Sequence, residues 1–202
     1  MPDADFFAKL GLYVARNFLD AESCARYRAE TRAASGEKAQ IGGTLEGPVV
    51  DENVRRATTA ILTAATVSSV EARLRALKPL LERHFTITLA GWEEPDFLAY
   101  KPGDFYLPHA DNADKSGAAT TLAQRKVTVV IFLNGTAEAP EQDTYGDGSL
   151  TFYGLIDEPR WKDYGFSLVG ETGLLVAFRS GITHEVLPVT HGERHTIVTW
   201  FF

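Results

Sequence analysis

From Phe85 onward the chain never keeps one secondary structure for long. Short apolar runs recur, each closed by residues that favour turns: Phe85–Leu89, Phe97–Tyr100, Phe105–His109, Lys126–Asn134, Ser149–Tyr153, Leu174–Phe178, His184–Val189 and Arg194–Phe202. Many short strands at such spacing demand antiparallel sheets folded on one another, a β-sandwich or closed jelly roll. No helical pattern is interleaved with them, which argues against a doubly wound parallel sheet. Between the runs lie three polar segments, Asn112–Arg125, Gly135–Gly148 and Asp157–Gly165. Long loops on a rigid barrel are where substrate contacts are expected.

The first ninety residues read differently. Leu10–Leu19 is rich in β-formers and predicts a first strand, and Asp20 stands where an N-cap should, ahead of a helix over Ala21–Ala34. Ser35–Pro48 holds four glycines and reads as a loop, whereas Asn53–Ala65 fits helix or strand equally. The clearest helix is Ser69–His84, with Ser68-x-x-Glu71 as a capping box and Val70, Leu74, Leu77 and Leu81 on one stripe. Pro79 lies inside it and should kink or split it. That stripe is expected to cover a core. The 202 residues suit one domain, with mainly helical support over 1–90 and a β core over 91–202.

The net charge of −7 and pI of about 5.2 argue against a general phosphate-backbone binder. The single cysteine, Cys24, cannot form an internal disulfide and reads as a small buried hydrophobe on a helix. The acidic start carries no leader-like pattern, and no run approaches 18 apolar residues. A soluble cytoplasmic protein is expected, acting on a peptide or small molecule rather than on a membrane or nucleic acid.

Chemistry is concentrated in Pro108-His109-Ala110-Asp111-Asn112. Side chains two apart in a strand share a face, so His109 and Asp111 can present an imidazole and a carboxylate together. His184, in Gly181-Ile182-Thr183-His184, is the best candidate for a third ligand. Two His and one carboxylate leave open positions on a metal, the pattern of non-haem Fe(II) oxygenases. Ten residues on, Arg194 opens the last strand, and a turn through Pro188 and Gly192 could return that strand beside the one bearing His184. An inward arginine needs an anionic partner, which a dicarboxylate chelating the metal would supply. Each part has an ordinary alternative: His-x-Asp arises by chance in a chain with five histidines, and Arg194 could be a solvated charge. Together they are read as a site.

The ordered set of motifs extends this reading. Tyr100-Lys-Pro-Gly103 precedes the His109/Asp111 dyad; Val127-Thr128-Val129-Val130-Ile131-Phe132-Leu133-Asn134 and Gly146-Asp147-Gly148-Ser149-Leu150-Thr151-Phe152 follow; His184-Glu185-Val186 and Arg194-x5-Trp200-Phe201 close the chain. The span Phe97–Phe202 thereby resembles the 2-oxoglutarate- and Fe(II)-dependent dioxygenases of the prolyl hydroxylase branch, and residues before it match more loosely. The resemblance implies a mainly β fold, a double-stranded β-helix (jelly roll, cupin-like) core with supporting N-terminal α-helices. It implies that His109, Asp111 and His184 bind Fe(II), that Arg194 grips the distal carboxylate of 2-oxoglutarate, and that Tyr100 donates its hydroxyl to the same co-substrate. Thr128 would add a hydrogen bond and Trp200 would pack against the site. Dioxygen would be the other co-substrate and L-ascorbate an auxiliary reductant.

The implied reaction is hydroxylation of an unactivated C–H, with succinate and CO2 released, most readily on a prolyl or other peptidyl residue. Alternatives are the same chemistry on a free amino acid or metabolite, nucleic-acid demethylation, a zinc hydrolase, and a non-catalytic jelly-roll binding module. Demethylases place a second arginine where this chain has Trp200, and a hydrolase would leave Arg194 without a purpose. One departure stands out: where some relatives carry a tyrosine before Leu-Asn that helps hold 2-oxoglutarate, this chain has Phe132. His84, His191 and His195 have no role in the pattern, and His195 should face away from Arg194, structural or exposed.

Overall fold

The computed structural model describes residues 4–42, 48–112, 121–161 and 163–202. Most of the Asn112–Arg125 loop lies outside the described residues, as do Gly43 and Gly47. In chain order the elements are α1 (Ala4–Lys9), β1 (Tyr13–Ala15), α2 (Ala21–Ala33), β2 (Gly36–Lys38), β3 (Thr58–Ala60), α3 (Ala64–Phe85), β4 (Asp96–Tyr100), β5 (Tyr106–His109), α4 (Thr121–Gln124), β6 (Val127–Phe132), β7 (Tyr145–Asp147), β8 (Leu150–Phe152), a 3₁₀ turn (Pro159–Trp161), β9 (Phe166–Leu168), β10 (Leu175–Arg179), β11 (His184–Val186), β12 (Val189–Gly192) and β13 (Arg194–Phe201).

All strand pairings between these elements are antiparallel. A seven-stranded sheet runs β1-β10-β6-β13-β4-β3-β2, a four-stranded sheet runs β5-β11-β8-β9, and β12 pairs with β7. The fold is the mainly β jelly roll expected. The two larger sheets are open, and the N-terminal region contributes β1, β2 and β3 to the larger one as well as helices. Among the described residues no helix is long and apolar enough to cross a membrane.

The period-2 rule explains how the larger sheet serves two cores. On β6 and β13, Val127, Val129, Ile131, Ile197 and Phe201 face one way and join Val70, Leu74, Leu77 and Leu81 of α3 in the first core. The alternate residues Val130, Phe132 and, on β4, Leu98 and Tyr100 face the other way into a second core between the sheets. Every residue of β6 is buried, as expected of a strand covered on both faces. Burying each large aliphatic of the α3 stripe contributes roughly 1.5–3 kcal/mol, so the helix is held mainly by that face.

Several expectations change. The capping box at Ser68 is not the start of α3: the helix begins a turn earlier at Ala64, with Thr63 as N-cap accepting from the Thr66 N–H at 3.4 Å. A tertiary contact decides this, because Glu30 of α2 accepts from the Thr63 N–H (2.7 Å) and the Thr66 hydroxyl (2.5 Å). Pro79 does not split the helix. It sits on the solvent face with Arg75, whose carbonyl would lose its amide donor and is free to meet water instead. Phe85–Leu89 is not a strand: Phe85 ends α3, Thr86 caps it in the left-handed region (φ 52°), and the Leu89 N–H donates to Glu82. Leu10–Leu19 yields only the three residues of β1. The Ser35–Pro48 loop contains β2, and Asn53–Ala65 divides into β3 and the start of α3. His184–Val189 breaks at Leu187-Pro188 into β11 and β12, which join different sheets.

Candidate active site

His109 ends β5 and His184 opens β11, and the two are direct cross-strand partners. Their ring centroids lie 4.3 Å apart. Asp111 follows β5 by two residues, with its N–H donating to the Ser180 carbonyl at 2.9 Å. That bond ties the dyad to the turn preceding His184. Nε2 of His109 lies 3.5 Å from Asp111 Oδ1, and Nε2 of His184 lies 3.4 Å from Oδ2. One donor atom from each residue falls within 4.8 Å of the other two, the only such group of His, Cys, Asp and Glu among the described residues.

Protonation suits a cation. The Leu107 carbonyl is 2.8 Å from His109 Nδ1, and the Ile182 carbonyl 2.9 Å from His184 Nδ1, so each Nδ1 carries the proton and leaves Nε2 free. Burial pushes His184 down to about 4, against the pull of Asp111, which keeps it neutral. Burial alone would raise the Asp111 carboxyl. The His184 and His109 rings and the Thr128 hydroxyl outweigh it and hold the group well below the usual carboxylate range. Two imidazoles with Nε2 free and an ionised carboxylate fit Fe(II), as they fit other first-row dications.

Arg194 arrives by a route different from the one expected. β13 does not lie beside β11; it sits between β6 and β4 in the larger sheet, and faces the histidines across the cavity. The reason is the break after β11: β12 pairs with β7, and the chain crosses to the opposite sheet before β13 begins. Alternation then points Arg194, Thr196, Val198 and Trp200 into a common cavity of about 600 Å³ that also holds the metal ligands. Arg194 is almost fully buried. Its guanidinium lies 5.1 Å from the centroids of both Tyr100 and Phe132, Nη1 donates to Thr196 Oγ1 at 3.3 Å, and Nε has no hydrogen-bond partner among the described residues. No carboxylate among the described residues forms an ion pair with it. A buried guanidinium without a counter-charge is costly, and a dicarboxylate entering the cavity would relieve that cost.

The other candidates are placed as follows. Tyr100 lines the cavity and pairs in register with Arg194. Thr128 also lines it, but its hydroxyl is directed at Asp111 Oδ2 (2.7 Å) and is shared with Ser180 Oγ at 3.0 Å, so it orients the carboxylate. Trp200 lines the cavity with the Arg125 guanidinium stacked 3.7 Å from its ring. His195 faces the helical side and is fully buried, 3.4 Å from Glu193. Cys24 is buried on α2, where burial raises its thiol to about 11.

Sequence reasoning missed the rest of the wall. Arg125 holds Glu93 in a fork with both contacts at 2.6 Å. Tyr106 stacks on His109 at 3.5 Å. Arg55, buried and 4.8 Å from the Tyr106 ring, donates to the Gln40 carbonyl. Asp96 shares the cavity, its carboxyl raised by burial against the pull of Arg55. None of these carried a signal: strict alternation would turn Tyr106, three residues before His109, to the other face, and the β5–β11 pair has an irregular register between Tyr106 and His109.

An antiparallel jelly roll with two histidines and a carboxylate on one side of its cavity and a buried arginine on the other defines a class of mononuclear metal protein. The profile of the 2OG-Fe(II) oxygenase superfamily matches residues 95–202, and the chain belongs to that superfamily. A PKHD-type hydroxylase of Prochlorococcus marinus (strain MIT 9215) is 29% identical over 149 residues, 73% of this chain and 54% of that protein. Another, of Klebsiella pneumoniae (strain 342), is 23% identical over 94% of this chain and 77% of that protein. The chain thus spans about half the length of the first of these relatives. Among solved structures, a Pseudomonas putida prolyl-4-hydroxylase is similar with a TM-score of 0.68 at 24% identity, covering 98% of this chain and 95% of that one. A Trichoplax adhaerens prolyl hydroxylase in complex with a hypoxia inducible factor peptide gives 0.74 at 19% identity, covering 98% and 86%.

Proposed function

We propose that this protein is an Fe(II)- and 2-oxoglutarate-dependent hydroxylase whose substrate is a prolyl or other peptidyl residue. The observation that carries the chemistry is the meeting of a two-histidine, one-carboxylate donor set with a buried guanidinium that has no carboxylate partner among the described residues, in one cavity. Iron bound by His109, Asp111 and His184, with 2-oxoglutarate and dioxygen, would supply the oxidation of an unactivated C–H to an alcohol, releasing succinate and CO2. The chain's own residues bind and orient. Arg194 takes the distal carboxylate, with the Tyr100 and Phe132 rings excluding water from the pair. Tyr100 presents its hydroxyl to the same diacid. Thr128 holds Asp111 in its coordinating orientation.

The peptidyl reading draws on the remaining walls. Tyr106, and Trp200 under Arg125, flank the metal ligands with flat apolar surface suited to a pyrrolidine ring. The peptide bound by the Trichoplax relative supports it. The second reading, a free amino acid, is favoured by Arg55 and Asp96, which could meet a carboxylate and an ammonium. The test is succinate release with Fe(II), 2-oxoglutarate and a panel of proline-rich peptides and free amino acids, with product read by mass spectrometry as one added oxygen. Turnover is expected with a peptide and absent without Fe(II) or in Arg194→Ala. Turnover on amino acids alone would replace the peptidyl reading, and Fe(II)-independent turnover would end the oxygenase reading.

A further inference from the structure

Phe132 stands where the resemblance gives some relatives a tyrosine hydroxyl for the diacid, and its ring packs against Arg194. The space next to that ring is filled by Tyr145 of β7. A Cβ at Gly170 would collide with the Tyr145 hydroxyl and lie 2.7 Å from Phe132 Cδ1, so hydroxyl and ring flank one small space. A Cβ at Gly148 would lie 3.2 Å from Arg194 Cδ and 3.3 Å from Tyr145 Cε2, so the tyrosine also lies along the arginine stem. Tyr145 is wholly buried and its backbone is clamped: its N–H donates to the Gly135 carbonyl (3.2 Å), its carbonyl accepts from Ala137 (2.9 Å), and it pairs in register with Gly192. Among the described residues, neither the Tyr145 hydroxyl nor Arg194 Nε makes a hydrogen bond of good geometry, although both are buried and the guanidinium stands close enough to act on the phenol. Two such orphans at one place are unusual, since buried polar groups are nearly always paired. Burial pushes the phenol up, and the Arg194 guanidinium draws it partly back.

We propose that Tyr145 is a positioning residue for Arg194: its phenol oxygen accepts a hydrogen bond from the guanidinium as the diacid seats, supplying from β7 the oxygen that Phe132 lacks. The proposal rests on Arg194 being the dicarboxylate anchor. Nothing in the sequence motif marks Tyr145, which lies thirteen residues beyond Phe132 on another strand.

The test is the affinity for 2-oxoglutarate of Mn(II)-loaded protein under argon, measured by calorimetry. The variants are Tyr145→Phe, Arg194→Ala and the double Tyr145→Phe/Phe132→Tyr, with melting temperatures alongside. Tyr145→Phe should weaken binding by about ten- to a hundredfold, as expected for losing one hydrogen bond to a charged group. In turnover, KM for 2-oxoglutarate should rise in step, with a smaller fall in kcat. The double variant should recover most of the loss, since it returns a hydroxyl beside the same guanidinium. Wild-type affinity in Tyr145→Phe would overturn the proposal, and so would a loss that the double variant does not recover, which marks a packing role. Unchanged affinity in Arg194→Ala would instead bring down the anchor reading and this proposal with it.

Discussion

At the scale of single residues, the site depends on groups whose partners hold them in one protonation state and one orientation. Thr128 illustrates it. Its hydroxyl bonds the carboxylate oxygen that faces His184, so a metal arriving there meets a carboxylate already aimed. Thr128→Val keeps the shape and removes the donor. Metal affinity should fall about tenfold, the lower end of what outer-shell partners contribute, and Thr128→Ser should restore most of it. Titration with Mn(II) checks this, and an unchanged affinity in the valine variant would assign Thr128 to packing alone. The motif placed Thr128 in the cavity, but which neighbour takes its hydroxyl proton depends on Asp111 folding back over β6. No spacing in the chain expresses that.

At the scale of elements, α3 shows how a helix reads correctly in its middle and wrongly at its ends. Val70, Leu74, Leu77 and Leu81 are all buried, so the stripe is the core-facing face the periodicity predicts. Leu77→Ala should cost about 2–5 kcal/mol in urea denaturation, the range for truncating a buried leucine. The start of the helix is another matter, because Glu30 reaches over from α2 to hold Thr63 and Thr66. Glu30→Ala should cost about 1–2 kcal/mol, the size of a lost cap with its hydrogen bonds. A cost near zero in the same denaturation would return the helix start to local capping. The crossing of β13 to the opposite sheet has a similar origin: strand runs fix the pairs available, and the break at Leu187-Pro188 selects among them.

At the scale of the whole molecule, stability should decline on the acidic side. His195 is buried between the larger sheet and α2, facing Glu193, Arg32 and Arg28. Burial, aided by the cationic Arg32 and opposed by Glu193, lowers it to about 4, beneath the ordinary imidazole value of 6.5. Between those values the unfolded chain binds a proton that the folded chain refuses, so stability is full above pH 6.5 and falls as pH drops toward 4. The loss from one such imidazole reaches roughly 2–3 kcal/mol. His195→Gln should flatten the melting temperature between pH 6.5 and 4.5 relative to wild type, whatever its effect at pH 7. Equal slopes would show that other groups carry the dependence. The lowered carboxyls of Asp143 and Glu193 act in the same direction at still lower pH, where their pairing with Arg32 is lost as they protonate.

The sequence by itself determined the jelly-roll class and the apolar face of α3, and it singled out His109, Asp111, His184 and Arg194 as candidates that the fold brings to one cavity. Each rests on local periodicity or on a side chain whose chemistry has few other uses. Tertiary structure alone decided which sheet carries Arg194, that Thr128 serves Asp111, that Arg125 caps Trp200, and that Tyr145 lies against the guanidinium. The physical reason is that antiparallel pairing joins strands distant in the chain. The cavity is therefore walled by residues whose only common property is the side of a sheet on which they fall.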